Sequence, residues 1–307
     1  MNLNEKVNSR NDKQTAMTMI RRLLSSSAGD ALKKRQAELM ARGLPKKRNI
    51  QNVKHVLLIA SGKGGVGKST TAVNLAVAFN KKCNLKVGLL DADIYGPSIP
   101  LMMNLHGHQP LVDAQTQKML PLENYGVKCM SMGFLVNPED AIVWRGPMVM
   151  GALEKMVHGT NWSDLDLLVI DMPPGTGDIH LSTAQTITVD GAVIVSTPQK
   201  VALADAQKGL KMFEKVQIPV MGLIQNMSSF VCPKCQTITH VFGSQSQDLI
   251  AGVQSLGSLP LEVEIMRNAD EGTPIVISHP KSQVTQIYEK ISQDLWQTLV
   301  TTSSNKK

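Results

Sequence analysis

The stretch Ser61-Gly62-Lys63-Gly64-Gly65-Val66-Gly67-Lys68-Ser69-Thr70 follows the largely apolar run His55–Ala60 and leads into a segment carrying Val73, Leu75, Ala76 and Val77. A strand, a glycine-rich loop and a helix in that order give the pattern G-x-x-x-x-G-K-[ST] its structural meaning. Glycines let the backbone wrap closely enough for successive N–H groups to converge on phosphate oxygens. The following helix adds its partial positive charge at the same point. The residues from Gly62 through Lys63, Gly64, Gly65, Val66, Gly67, Lys68 and Ser69 to Thr70 are therefore expected to cradle the phosphates of ATP. Lys68 is placed to reach the β- and γ-phosphates and Ser69 to ligate Mg²⁺.

Such a loop needs a sheet behind it. Short runs rich in Val, Ile and Leu recur at His55–Ala60, Lys86–Leu90, Leu165–Ile170, Ala192–Ser196 and Val220–Gln225, with weaker ones at Gly126–Met132 and Ser255–Leu259. They show little in–out alternation, which marks strands covered on both faces. The expected fold is α/β, a doubly wound and mostly parallel sheet flanked by helices. Asp91 and Asp93 fall just after one run, where such sheets bind ligands. Asp171 follows another and opens Met172-Pro173-Pro174-Gly175-Thr176-Gly177-Asp178. That acid suits Mg²⁺ association, and the Pro/Gly-rich run suits a loop responsive to the γ-phosphate.

Charge divides the chain. Of 32 Lys/Arg and 25 Asp/Glu, residues 1–50 hold 12 and 4, leaving 20 basic and 21 acidic residues beyond. The body is near neutral and the basicity belongs to the leader, so a nucleic-acid face is not expected. Met19-Ile20-Arg21-Arg22-Leu23-Leu24-Ser25-Ser26-Ser27 has the composition of a mitochondrial transit peptide, although Glu5 and Asp12 run against it. The expectation is a leader over 1–50 with a short helix at Ala31–Arg42, an ATPase domain over 51–300 and a tail over 301–307, in the mitochondrial matrix. A cytoplasmic protein retaining Met1 is the alternative. No apolar run is long enough to span a bilayer, so no stable membrane insertion is expected. Val284, Ile287, Tyr288, Ile291, Leu295, Trp296 and Leu299 share one face of a closing helix, expected to pack on the sheet.

Lys63 is a second lysine inside the loop. With it the sequence resembles the deviant Walker-A group of dimeric ATPases (MinD, ParA and nitrogenase iron-protein relatives). The resemblance implies that Lys63 contacts nucleotide across a dimer interface and that Asp93 orients the attacking water.

Four cysteines are present, and only Cys232 and Cys235 lie close together. Two thiolates cannot complete a tetrahedral metal site. A redox dithiol belongs near the start of a βα unit, and Cys232 lies too far along the chain for that. A zinc knuckle could recruit His240, with Cys129 as a more distant candidate. A two-fold dimer would bring four thiolates together for one 4Fe–4S cluster. Cys83 and Cys129 sit among apolar residues and read as inert buried thiols.

These segments, together with Asp91–Ser98, Val143–Pro147, Ser196–Gln199 and Gln225–Ser228, resemble the Mrp-type P-loop ATPases that carry iron–sulfur clusters. Met40–Lys46 and Cys129–Val136 point to the branch that serves mitochondrial respiratory complex I. The resemblance implies that Asn226 contacts adenine, that Cys232 and Cys235 hold a labile 4Fe–4S cluster, and that apo iron–sulfur proteins receive it. Two other functions stay open at this level: a MinD/ParA-like positioning ATPase, and a zinc-binding module regulated by ATP. Neither Trp144 nor Arg145, both within the matching segments, receives a physical role.

Overall fold

Runs of branched aliphatic residues without alternation become strands buried on both faces, and the chain follows that rule. The computed structural model describes residues 47–136, 146–175, 177–242 and 250–304. The expected leader through residue 46, its helix at Ala31–Arg42, Trp144, Arg145, Thr176 and the last three residues lie outside them.

The strands are β1 (Val53–Ala60), β2 (Val87–Asp91), β3 (Leu122–Asn124), β4 (Val127–Ser131), β5 (Leu165–Asp171), β6 (Gly191–Ser196), β7 (Val220–Gln225), β8 (Phe230–Val231), β9 (Ile238–Thr239) and β10 (Ser255–Ser258). Eight of them form one sheet in the order β10-β7-β6-β1-β5-β2-β4-β3, and β8 pairs with β9 separately. Within the large sheet β3–β4 is antiparallel and the other neighbours are parallel. The seven expected runs are all present. β3, at the sheet's edge, is three residues of partly exposed chain and carries no apolar pattern.

Strand order positions the site. From β1 the chain moves to one side, through β2 and back to β5, then crosses to β6 on the other side of β1. The winding reverses at β1, and its carboxyl end is where sheets of this kind bind ligands. Register does the rest: Ile59 of β1 and Asp91 of β2 both lie opposite Asp171 of β5. The two acids are thus the last residues of neighbouring strands, not the first residues of the loops after them.

Gly67 caps the helix Lys68–Cys83, in which every residue from Thr71 to Phe79 is buried. A helix packed on one side only would expose every third or fourth residue. This one lies against the sheet and against the closing helix Gln283–Ser304. Val284, Tyr288, Ile291, Leu295 and Leu299 of the closing helix are buried, and Lys82 pairs with Glu289 at 3.0 Å. It meets the sheet at β10, where Gly257 leaves space for Ile287 and Ile291, and at β1, where the Trp296 ring lies edge-on to His55 with centroids 5.5 Å apart. The expected packing on the sheet is thus mainly packing on the phosphate-loop helix.

Candidate active site and cysteine hairpin

The loop leaving β1 turns through two left-handed glycines, Gly65 (φ 77°) and Gly67 (φ 81°). Gly67 has a second reason to be glycine, since a Cβ there would overlap the Asn226 amide. Gly62 is held for contact, because its Cβ would meet the backbone of Asp205 and Ala206 at the helix Lys200–Lys215.

At the loop's end Lys68 is buried and its Nζ donates to Asp171 Oδ1 at 2.6 Å and to Ser69 Oγ at 3.1 Å. Burial pushes the Asp171 carboxyl up, and the Lys68 ammonium pulls it back. Asp171 Oδ2 is buried and has no hydrogen-bond partner among the described residues. An unsatisfied carboxylate oxygen beside a serine hydroxyl, at the foot of a phosphate cradle, is a donor set suited to Mg²⁺.

Asp91 serves a different purpose. Its Oδ1 accepts from Asp93 N at 3.1 Å. Its Oδ2 accepts from Ser98 N (3.1 Å), Ile99 N (3.2 Å) and Ser131 Oγ (3.1 Å). Burial and the charge of Asp171 push its pKa up to about 7, against the pull of these donors. Asp91 thereby ties down the segment 93–99, while Asp93 stays half-buried with its own Oδ1 accepting from Gly96 N at 3.3 Å.

Lys63 takes a different partner. Within its own subunit its Nζ donates to Gln199 Oε1 at 3.2 Å. Asn226 lies at the loop, its Nδ2 donating to Val66 O at 2.9 Å. Beside it opens a cavity of about 330 Å³, lined by Gly67, Thr70, Leu101, Met227, Leu261 and Met266 among others. Its walls come from four separate stretches of chain, so no local pattern announces it.

His180 is a buried residue of this region that no motif or spacing singles out. It is 1% exposed, in the first turn of the helix Asp178–Thr186. Burial, helped by the Lys68 charge, lowers its pKa from 6.5 to about 4. A folded-state value below the unfolded one means that His180 contributes stability fully above pH 6.5, lost as pH falls toward 4. The loss expected is roughly 3 kcal/mol, and His180→Gln should flatten that part of the curve, measured by denaturant unfolding between about pH 7 and about pH 4.5.

Cys232 and Cys235 sit in the turn joining β8 to β9. Cys232 N donates to Thr237 O at 3.0 Å, and Gln236 N to Cys232 O at 2.9 Å with Gln236 left-handed (φ 58°). Cys235 is exposed and Cys232 half-buried, both as free thiols. Cys235 Sγ lies 3.3 Å from Thr237 Oγ1, and this hydrogen bond brings its pKa down to about 7. Near neutrality roughly half of the thiol is therefore thiolate, the form that binds metal. His240 turns elsewhere, with Nδ1 3.2 Å from Ser228 O. Cys129 lies buried in β4, and burial raises its thiol. Among the described residues no group of three or more His, Cys, Asp or Glu is placed to hold a metal ion.

A sheet whose winding reverses at a glycine-rich loop, with a strand-end acid on the loop's lysine, is the fold of a P-loop ATPase, and Lys63 marks the group with the modified loop. More narrowly, the chain belongs to the ParA family described as "NUBPL iron-transfer P-loop NTPase", whose model matches residues 52–296. An Arabidopsis thaliana protein, "Iron-sulfur protein required for NADH dehydrogenase, mitochondrial", is 55% identical over 249 residues, covering 80% of this chain and 79% of its own. The mouse "Iron-sulfur cluster transfer protein NUBPL" is 52% identical over 278 residues, covering 89% and 86%. The solved nucleotide-binding protein of Archaeoglobus fulgidus in complex with ADP is 32% identical, with a TM-score of 0.66 over 78% of this chain and 94% of that one. Among the described residues no helix is long and apolar enough to cross a membrane.

Proposed function

We propose that this protein is an ATP-dependent carrier of a 4Fe–4S cluster, acting as a homodimer in the mitochondrial matrix and passing the cluster to apoproteins of respiratory complex I. The observation that carries this reading is the hairpin bearing Cys232 and Cys235. It presents two free thiols at the surface, and Val231, Ile238 and Val241 around them are exposed. Four thiolates are needed for the cluster, and a two-fold axis at this apolar patch supplies them.

The nucleotide reading rests on the geometry at Lys68. ATP lays its phosphates in the loop 62–69, and its base enters the cavity beside Asn226. Mg²⁺, held by Ser69 and Asp171, would neutralise charge on the phosphates. Asp93, on the segment anchored by Asp91, orients the attacking water, and Lys63 reaches the nucleotide of the other subunit. ATP draws the subunits together, and hydrolysis loosens them and releases the cluster. The coupling requires only that the two dimer arrangements bind nucleotide with different affinity.

Anaerobic reconstitution with iron and sulfide, followed by iron analysis and gel filtration, tests the carrier reading. The wild type is expected to hold about four irons per dimer, and Cys232→Ala/Cys235→Ala none. A wild type that binds no iron, or that takes zinc in its place, removes the cluster from the proposal and leaves an ATP switch.

A further inference from the structure

Three buried side-chain polar atoms lack a hydrogen-bond partner among the described residues: Asp171 Oδ2, His180 Nε2 and Gln225 Oε1. Such atoms are rare in folded proteins, and each asks for a partner that arrives from outside. Asp171 is ion-paired with Lys68 at 2.6 Å, and His180 lies within range of that ammonium's charge. The backbone explains why His180 is held there. The loop leaving Asp171 is tied to the phosphate loop by Gly175 N donating to Ser61 O at 3.0 Å. Two residues later Gly177 starts the helix, and its carbonyl accepts from His180 N at 3.1 Å. The ring therefore sits in the first turn of the helix that follows the strand-end acid, with Nε2 buried.

Protonation state narrows the chemistry. Burial and the neighbouring ammonium keep the imidazole neutral, so the ring offers one N–H donor without adding a second positive charge. An anionic oxygen held by Lys68 is the partner this arrangement accepts. Asp171 is suited to the cation that accompanies a nucleotide, and His180 to the nucleotide's own oxygen.

We infer that His180 is a positioning residue for the terminal phosphate of ATP, its Nε2–H donating to a γ-phosphate oxygen, so that the segment carrying it, the helix Asp178–Thr186, reports whether that phosphate is present. The inference rests on the nucleotide half of the proposed function and is independent of the cluster. It makes the segment's response specific to ATP over ADP, because ADP lacks the oxygen that pairs with Nε2.

The test compares binding of Mg²⁺-ATPγS and Mg²⁺-ADP to the full chain for wild type, His180→Leu and His180→Gln. His180→Leu is expected to weaken ATPγS about tenfold, the usual loss for a hydrogen bond to a charged group, and to leave ADP unchanged. His180→Gln, which retains a neutral N–H donor, is expected to keep the wild-type preference. Equal weakening of both nucleotides, or a Gln variant as impaired as Leu, overturns the inference in favour of simple packing. Should His180→Leu fail to fold, imidazole ¹⁵N spectra of the wild type decide, with the His180 signal assigned by its absence from His180→Gln. A shift with ATPγS but not with ADP is expected, and the same spectrum with both overturns the inference. A wild type that binds neither nucleotide overturns the nucleotide reading as well, an outcome distinct from failure to bind iron.

Discussion

Replacing Lys68 with methionine is expected to abolish nucleotide binding and, in the same stroke, to destabilise the nucleotide-free protein by about 3–5 kcal/mol. The first effect follows from the phosphate loop. The second follows from what Lys68 does in the structure, where its ammonium is the ion-pair partner of Asp171, a carboxylate fully shielded from water. Removing one member of a buried pair leaves the other as an uncompensated charge, which costs far more than the pair itself contributes. Asp171 can escape by taking a proton. Its folded-state pKa already lies above the ordinary value because of burial, and loss of Lys68 raises it further. The variant then holds more protons folded than unfolded, so its stability deficit should shrink as pH falls and widen as pH rises. A second substitution, Asp171→Asn, should restore most of the lost stability and none of the nucleotide binding. Urea unfolding of the single and double variants at two pH values measures both effects. A Lys68→Met protein as stable as wild type at neutral pH would show that the pair carries no structural weight.

The contrast between Lys68 and His180 shows which parts of this site a sequence can announce. Lys68 is legible because the phosphate cradle demands a fixed spacing of glycines around it, and the strand before and helix after supply the context. The strands themselves are legible for a plain reason: residues such as Leu57, Leu58, Leu89 and Val169 are fully buried, and doubly covered strands leave no room for polar alternation. His180 has no such signature. One histidine in the first turn of a helix is compatible with a solvated cap, and only the fold reveals that its Nε2 is buried without a partner among the described residues, within range of the Lys68 charge.

Asp91 was legible as an acid at a strand end but not in its duty. The four donors that converge on it come from residues 93, 98, 99 and 131, a set that only the pairing of β2 with β4 assembles. The cysteine hairpin is a third case. β8 and β9 are two residues each and largely exposed, too short for any period to show. The pair of cysteines was visible, and the ribbon presenting them was not.

Lys63→Ala should bind ATP with near wild-type affinity and hydrolyse it at least about a hundredfold more slowly, as expected when a cation supplied across an interface is lost. The structure sets Lys63 apart from Lys68 in the way this requires. Within one subunit its ammonium rests on Gln199, at the start of the helix Lys200–Lys215, and makes no hydrogen bond to Asp171 or Asp91. A lysine that served its own subunit's phosphates would be expected to lean toward the acids beneath the loop, as Lys68 does. The decisive measurement is a mixing experiment with Lys63→Ala and Asp93→Asn, each inactive alone. In a mixed dimer the Lys63→Ala subunit keeps its own Lys68 and Asp93 and receives Lys63 from the other chain. One competent site is therefore rebuilt, and random pairing should restore roughly a quarter of wild-type ATPase activity. If Lys63 acts within its own subunit, neither site of the mixed dimer is whole and activity stays at the level of the separate variants. Recovery on mixing would place the second lysine at the interface, the two-fold contact that the proposed cluster needs to unite Cys232 and Cys235 with their counterparts. Nucleotide and cluster would then share one contact surface, and loosening it after hydrolysis would expose the cluster for transfer without any longer-range signal through the sheet.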